Sequence, residues 1–506
     1  MITKKTVLSA FAFLLALLTL ASCASGNAGQ TTSADATDPT QPSATSEVEA
    51  TAEETTDGIL SGAAFPDADY GGEVFRVYIR INTYYSGDYI YAEDQNGDIM
   101  NDAVFRRNSL VEEKYKIKIE AKTSPTPNQS LSKDISGGAA DYDLILDRRA
   151  DLAACSVNGL LYDFNSVGID YNNPWWDNNA QGYAIGKRLF LMANDVDTGV
   201  ISGVRFLYFN SGMIESFNLD SPYDLVARND WTLENFLNLL KAAHADGEAD
   251  GLGVYGLLRE TGASNGNHMH LIIGCGVKSS ETSAEGEIRQ AIGDQVEKIS
   301  DIIDRLRTVL LDTTLTMTYE ETSKRFLGGS YSGQWDRGRG AFAAGHFLFV
   351  QNGLDVSVEF SDMPDKYGVV PNPKYTADQE RYYHKVDRFA AIWGIPNTPD
   401  RIDFDRFVNV FDYWAAVSSQ TVMPTYYDVT IKSRRFNDPI AAQMIDIVKS
   451  TMVYDACDVY GITINSTLDS AFTSGNTGST LNAAYFRQID DSIRNISNSI
   501  KKKYGN

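Results

Sequence analysis

The chain has 506 residues, 43% of them hydrophobic and 22% charged, which is enough for two or more domains with cores of their own. A formal charge of −23 argues against nucleic acid as a partner and against adhesion to anionic headgroups, both of which reward Lys/Arg clusters. Cys155, Cys275 and Cys457 are widely spaced and odd in number once Cys23 is set aside, so they form no disulfide framework or zinc pattern and read as small buried hydrophobes.

Lys4 and Lys5 precede an almost wholly apolar run from Val7 to Leu20. The run is shorter than the about 20 residues of a transmembrane helix. Its charged, apolar and then small-residue layout is that of an export signal over residues 1–22. The end of the run, Leu20-Ala21-Ser22-Cys23, resembles a bacterial lipobox. That resemblance implies cleavage before Cys23, lipidation of its sulfur, and contact with the lipid bilayer through this N-terminal lipid only. The alternative is an ordinary secretory signal with a cysteine beside it. Residues 23–69 are rich in Ser, Thr, Ala and acids and cannot bury enough surface to offset their ordering entropy. They read as a disordered tether with an r.m.s. span of roughly 35 Å.

The body opens on a strand, "GEVFRVYIRI" (72–81), and a turn-rich loop, "NTYYSGDYIYAEDQNGD". "NDAVFRRNSLVEEKY" predicts a helix capped by Asn101 or Asp102. "KIKIEAKT" alternates as a strand, and "YDLILD" (142–147) is a short apolar strand. Strand and helix alternate, which points to an α/β sheet with crossovers. "KRLFLMAND" and "GVRFLYFN" predict two further strands within 187–210. "WTLENFLNLLKAA" is helical, with Leu233, Phe236, Leu237 and Leu240 on one stripe and Thr232 as N-cap. A long helix is expected over 286–311, its stripe marked by Ile288, Ile292, Ile299, Ile303, Leu306 and Leu310. "GAFAAGHFLFV", "YGVVPNP" and "RFAAIWGIP" (388–396) read as strands, and "DFDRFVNVFDYWAAVSS" opens a helical remainder. A chain that leaves a sheet and returns to it suggests two interleaved lobes.

Several stretches resemble the extracellular solute-binding proteins of bacterial ABC importers, in the family 1-like carbohydrate-binding group. They are "NGDIMNDAVFRRNSLVEEKY", "YDLILD", "NNPWWDNN", "FLYFNSGMIESFNLDSPYDLVARNDWTLENFLNLLKAA", "RGAFAAGHFLFV" and "DKYGVVPNPKYTADQERYY". The resemblance implies a two-lobed, type II periplasmic-binding-protein-like α/β fold with hinge strands and a ligand cleft. Lobe one would be 70–203 plus 339–393 and lobe two 204–338 plus 394–506, with hinge crossings near Ser202–Arg205 and Trp393–Ile395. Where many relatives carry a "DxNGDG" loop, this chain has "HADGEADGLG".

Open α/β sheets bind ligands beyond the carboxyl ends of their strands, which selects Tyr84, Tyr85, Asp147 and Arg148. Arg148 either meets an acidic ligand group or pairs with acids near Asp147. Trp175 and Trp176, in "NNPWWDNN", belong to no helical or strand period. Flat rings match the apolar faces of sugars while neighbouring polar groups take the hydroxyls; the other reading has one ring anchoring the loop. Tyr331 and Trp335 lie in the glycine-rich "GGSYSGQWDRGRG", and Trp393 in a hinge strand is either core or ligand contact. Trp414 and Trp231 read as structural.

No HExxH, GxSxG or Walker pattern occurs, "SLSK" stands without partner motifs, and His268 and His270 are spaced i,i+2 on an expected helix, where they do not face each other. No catalytic residue, metal or cofactor is assigned. The expected function is capture of a small-molecule carbohydrate, an oligosaccharide, by hinge closure and delivery to ABC transporter permease subunits. The protein would act as a monomer anchored on the outer face of the cell membrane. The alternatives are a glycan-acting lipoprotein enzyme, whose chemistry needs two carboxylates across one cleft, and a peptide-binding member of the same transport class.

Overall fold

A computed structural model describes residues 65–505 apart from 82–88, 246–251, 284–285, 361–362, 365 and 428–438. Cys23, most of the tether, Tyr84 and Tyr85 lie outside the described residues. The packed body begins earlier than composition suggests. Phe65 lies 5.7 Å from the Trp175 ring and 5.0 Å from that of Tyr413, and the Tyr70 N–H donates to the Tyr115 carbonyl at 3.0 Å.

Two five-stranded sheets organise the body. In chain order their strands are β1 (Glu73–Arg80), β2 (Ile117–Ser124), β3 (Leu144–Arg148), β4 (Leu161–Tyr162) and β5 (Phe206–Asn210). Then come β6 (Tyr255–Arg259), β7 (Thr316–Thr318), β8 (Phe347–Asn352), β9 (Tyr367–Val370) and β10 (Ala391–Pro396). The first sheet runs β2-β1-β3-β10-β4 and the second β9-β5-β8-β6-β7. β1 is parallel to β2 and β3, whereas β10 is antiparallel to β3 and β4. β8, β6 and β7 are parallel, and β5 enters antiparallel between β8 and β9. The antiparallel strands β5 and β10 are those that follow the two passages between sheets. The passages themselves pair: Val204 bridges Val386, and the Asp387 N–H donates to the Gly203 carbonyl at 3.0 Å.

This pairing corrects the expected lobe division. Strands β8 and β9, expected with lobe one, belong to the second sheet. The segment from 394, expected with lobe two, starts in the first sheet and continues into the helix Phe404–Gln420, which packs there. Arg406 holds it in place, donating to the Val74 carbonyl at 2.8 Å and to Asp143 at 2.7 Å. The second crossing is therefore near Val386, not Trp393–Ile395.

Local signals explain most elements. Asp98, not Asn101 or Asp102, caps the helix Ile99–Tyr115 by accepting from the Asn101 N–H at 2.9 Å, and Lys116 closes it in the left-handed region. Thr232 caps Leu233–Ala242 as read. The expected helix over 286–311 is shorter. Gly286, at φ +83°, turns a hairpin (Ser280–Thr282 with Ile288–Gln290), and the α-helix runs only from Val296 to Leu310. Of the strand read over "GAFAAGHFLFV" (340–350), residues 347–350 lie in β8 as expected, whereas 340–343 close the helix Gln334–Ala343, and Gly345 at φ +87° separates the two. Residues 187–195 form isolated bridges rather than a strand ladder. The three cysteines are buried, and burial pushes the Cys155 and Cys275 thiols up to about 12. No helix among the described residues is long and apolar enough to cross a membrane.

Candidate functional site

The carboxyl ends of β3, β6 and β8 and the amino ends of β5 and β10 converge on one cleft. Each therefore ends in the side chain that faces it: Arg148, Glu260 and Asn352 from the parallel strands, Arg205 and Phe389 just before the antiparallel ones. The cavity holds about 360 Å³ and is completed by Asn265, Trp335, Arg339, Asp355, Val356, Glu359 and Asp387.

Its floor is a buried ion cluster. Arg205 reaches Glu260 at 2.8 Å and Asp387 at 3.8 Å, so one guanidinium ties the end of β6 to the second crossing. Burial raises the Glu260 carboxyl, Arg205 pulls it back, and Asp387 pushes it up again. Beneath lies a closed chain of amides. The Glu260 N–H donates to Asn267 (2.5 Å), Asn267 to Gln351 (2.9 Å), Gln351 to Asn372 (2.7 Å) and Asn372 to the Arg205 carbonyl (3.0 Å). Buried polar chains satisfied in this way hold their members rigidly. On the part of the body built around the second sheet (the second body, the first being built around the first sheet), Arg339 bonds Glu359 and Asp336, each at 2.6 Å. Asp355 is different: its Oδ1 is buried with no hydrogen-bond partner, and burial pushes the carboxyl up to about 6.

The walls are aromatic. Trp335 begins the helix Gln334–Ala343, rests on Tyr319 at 4.8 Å and remains 36% exposed. Phe389 is 38% exposed, flanked by the guanidinium groups of Arg148 at 5.4 Å and Arg388 at 5.7 Å. Of the large hydrophobic side chains exposed among the described residues, these two are the ones that line the cleft. A second cavity of about 340 Å³ adjoins the first and shares Glu260 and Trp335 with it. A third, of about 480 Å³, lies apart, between Gly276–Thr282 and Met452–Asp455.

Of the residues singled out in the sequence, Arg148 and Trp335 line the cleft. Asp147 stands behind it, fully buried. It accepts from Arg80 at 2.6 Å and from the Asn128 and Arg148 N–H groups, and so supports the residue that reaches the cleft. Trp175 and Trp176 are core residues instead. Both are buried, and both indoles donate to Asp412 Oδ1, at 2.6 and 2.7 Å, on the helix Phe404–Gln420. Trp393 is also core, 0% exposed and packed on Phe411 and Trp414. Tyr331 packs on Phe326 and under Arg337, outside the lining of the cleft. Arg205, Glu260, Asn352, Asp355 and Phe389 were missed. The strand-end rule, applied to "YGLLRE" and "FLFVQN", would have found Glu260 and Asn352.

No family model matches the sequence, and no curated protein matches it. Among solved structures, apo RafE from Streptococcus pneumoniae is similar with a TM-score of 0.51 at 15% identity, over 84% of this chain and 98% of that one. A family 1 extracellular solute-binding protein from Bifidobacterium longum subsp. infantis gives 0.50 at 11% identity, over 84% of this chain and 100% of that one. The chain has the two-lobed, type II α/β fold of these proteins.

Proposed function

We propose that the protein is an extracellular solute-binding protein of an ABC importer that captures a carbohydrate and hands it to permease subunits without altering it. The observation that carries this reading is the pair of exposed rings, Phe389 beside β10 and Trp335 on the second body, within one cleft floored by hydrogen-bonding groups. Sugars present apolar C–H faces edged by hydroxyls, and such a cleft answers both surfaces. The fold shared with a named extracellular solute-binding protein supports the same reading. Capture works by closure about the paired crossings at Val204 and Val386, because a ligand touching both bodies favours the closed population. The Cys23 lipid and its tether would keep this monomeric trap beside the transporter on the outer face of the membrane. The ligand contacts of the proposal are Arg148, Trp335 and Phe389.

A thermal-shift screen of the full chain against mono- and oligosaccharides, polyols and peptides tests it. A ligand at a hundredfold excess over Kd stabilises by about 2.7 kcal/mol. A shift with one sugar class, lost in Trp335→Ala and Phe389→Ala, is expected. A shift with peptides alone overturns the carbohydrate assignment, and turnover of a bound glycan overturns capture without chemistry.

A further inference from the structure

The second cavity holds a guanidinium that makes no close ion pair and leaves one buried N–H without a hydrogen bond. Arg259 ends β6, opposite Thr318 in the register with β7, and lines this cavity. Its side chain is half-buried, and its Nε is buried with no hydrogen-bond partner. Three carboxylates share the cavity, and each is already engaged elsewhere. Glu260 is held by Arg205 at 2.8 Å. Glu320 pairs with Lys324 at 2.7 Å. Glu321 closes a capping box, accepting from the Thr318 N–H at 2.9 Å and its hydroxyl at 2.7 Å. Among the described residues, none lies within ion-pairing distance of Arg259.

A partly buried guanidinium costs desolvation free energy that a partner ordinarily offsets. Arg259 has that cost with only the charge of Glu321, beyond ion-pairing distance, to offset it and no hydrogen bond at its Nε, at the rim of a polar cavity lined by Thr261, Thr318 and Gln334. The planar fork of an arginine matches the paired oxygens of a carboxylate or sulfate. Trp335 and Glu260 border both cavities, so the two are contiguous at the Trp335 ring.

We propose that the second cavity takes an anionic sugar unit, its carboxylate or sulfate seated on Arg259, and that the ligand is therefore an acidic oligosaccharide extending past Trp335. This rests on the carbohydrate reading above and adds to it a charge, a minimum length and a specificity-determining residue.

Calorimetric titration of the full chain decides it. The probes are tri-uronates of galacturonate, mannuronate, guluronate and glucuronate, each beside its carboxyl-reduced neutral counterpart, with a sulfated disaccharide as a separate arm. The expected result is that an acidic probe binds more tightly than its neutral counterpart. Arg259→Met then weakens the acidic probe by about 10- to 100-fold, the worth of a charge-assisted hydrogen bond, and leaves the neutral one unchanged. Binding in the uronate or the sulfate arm names the source of the anion. In the absence of ligand, Arg259→Met should keep or raise the Tm, because it removes a partly buried guanidinium that makes no close ion pair and has an unsatisfied N–H; a merely structural arginine would lower it. Neutral probes that bind as tightly as acidic ones, or an acidic probe indifferent to Arg259→Met, overturn the inference while leaving the carbohydrate reading standing. If no glycan of either kind binds, both fall together.

Discussion

Asp355 lines the cleft with burial working against its charge, so ligand binding there is expected to depend on pH. Burial is the largest influence and raises its carboxyl to about 6; Arg205 and Arg339 pull it down, and Glu359 pushes it up. Below that value the group is mostly protonated, and above it mostly carboxylate. A sugar hydroxyl donating to the orphaned Oδ1 stabilises the charged form, so binding favours deprotonation. Affinity is therefore expected to rise as pH increases from 5 to 7 and to level off above, and Asp355→Asn should flatten the profile. A titration series over that range checks it, and an affinity that falls with pH would mean that the ligand prefers the neutral acid. Asp355 was not legible in the sequence, since "NGLDVSVEF" offers no motif and its role comes from burial. Arg148 and Trp335, which line the cleft, stood out in the sequence because one follows an apolar strand and the other belongs to a glycine-rich stretch, although Trp335 lies in a helix and not in the loop that stretch suggested. Trp175 and Trp176 misled for a physical reason. Their lack of periodicity reflects docking onto an acceptor, Asp412, more than 230 residues away in the chain.

The helix Phe404–Gln420 shows how an element takes its place from one stripe and its security from another. Phe407, Phe411 and Trp414 face the first sheet, with Phe75 lying 6.0 Å from Phe407 and Trp393 5.6 Å from Phe411. That stripe was readable in advance. What pattern does not give is the flank: Asp412 accepts both loop indoles and so fixes the segment 171–177 against the helix. Asp412→Ala leaves two indole N–H groups without their acceptor, at about 1–3 kcal/mol for each one left unsatisfied. The variant should be destabilised by about 2–6 kcal/mol in denaturant unfolding with ligand affinity unchanged. A loss of affinity without loss of stability would return the tryptophans to the ligand. Elements whose pattern failed were those decided by backbone punctuation. Gly286 cuts the helix read over 286–311, and Gly345 delays the strand read from 340 until Phe347.

At the scale of the whole molecule, two sheets and paired crossings were foreshadowed by the chain leaving one α/β unit and returning to it. The share of each sheet was not, because strand partners separated by more than a hundred residues leave no local trace. The C-terminal helices add a third connection. Lys385, on the second crossing, is 2% exposed and pairs with Asp458, 4% exposed, at 3.2 Å, while its ammonium also donates to the Ser264 carbonyl at 3.1 Å. From the same C-terminal segment, Tyr504 donates to the Ser156 carbonyl of the first body at 3.0 Å, and Asp469 lies 2.9 Å from His268 of the second. Any closure about the crossings must therefore carry this segment along or turn against it. Lys385→Met removes the cation and leaves Asp458 buried with only the Asn465 amide, at 2.5 Å, to answer its charge. Breaking a buried pair from one side costs about 3–5 kcal/mol, so the unliganded Tm should fall. Ser264 adjoins Asn265 in the cleft, so the same change should also weaken sugar binding. Calorimetric unfolding read beside the binding isotherm separates the two effects. A lowered Tm with unaltered affinity would make the pair a static clamp, whereas loss of both couples the C-terminal segment to closure.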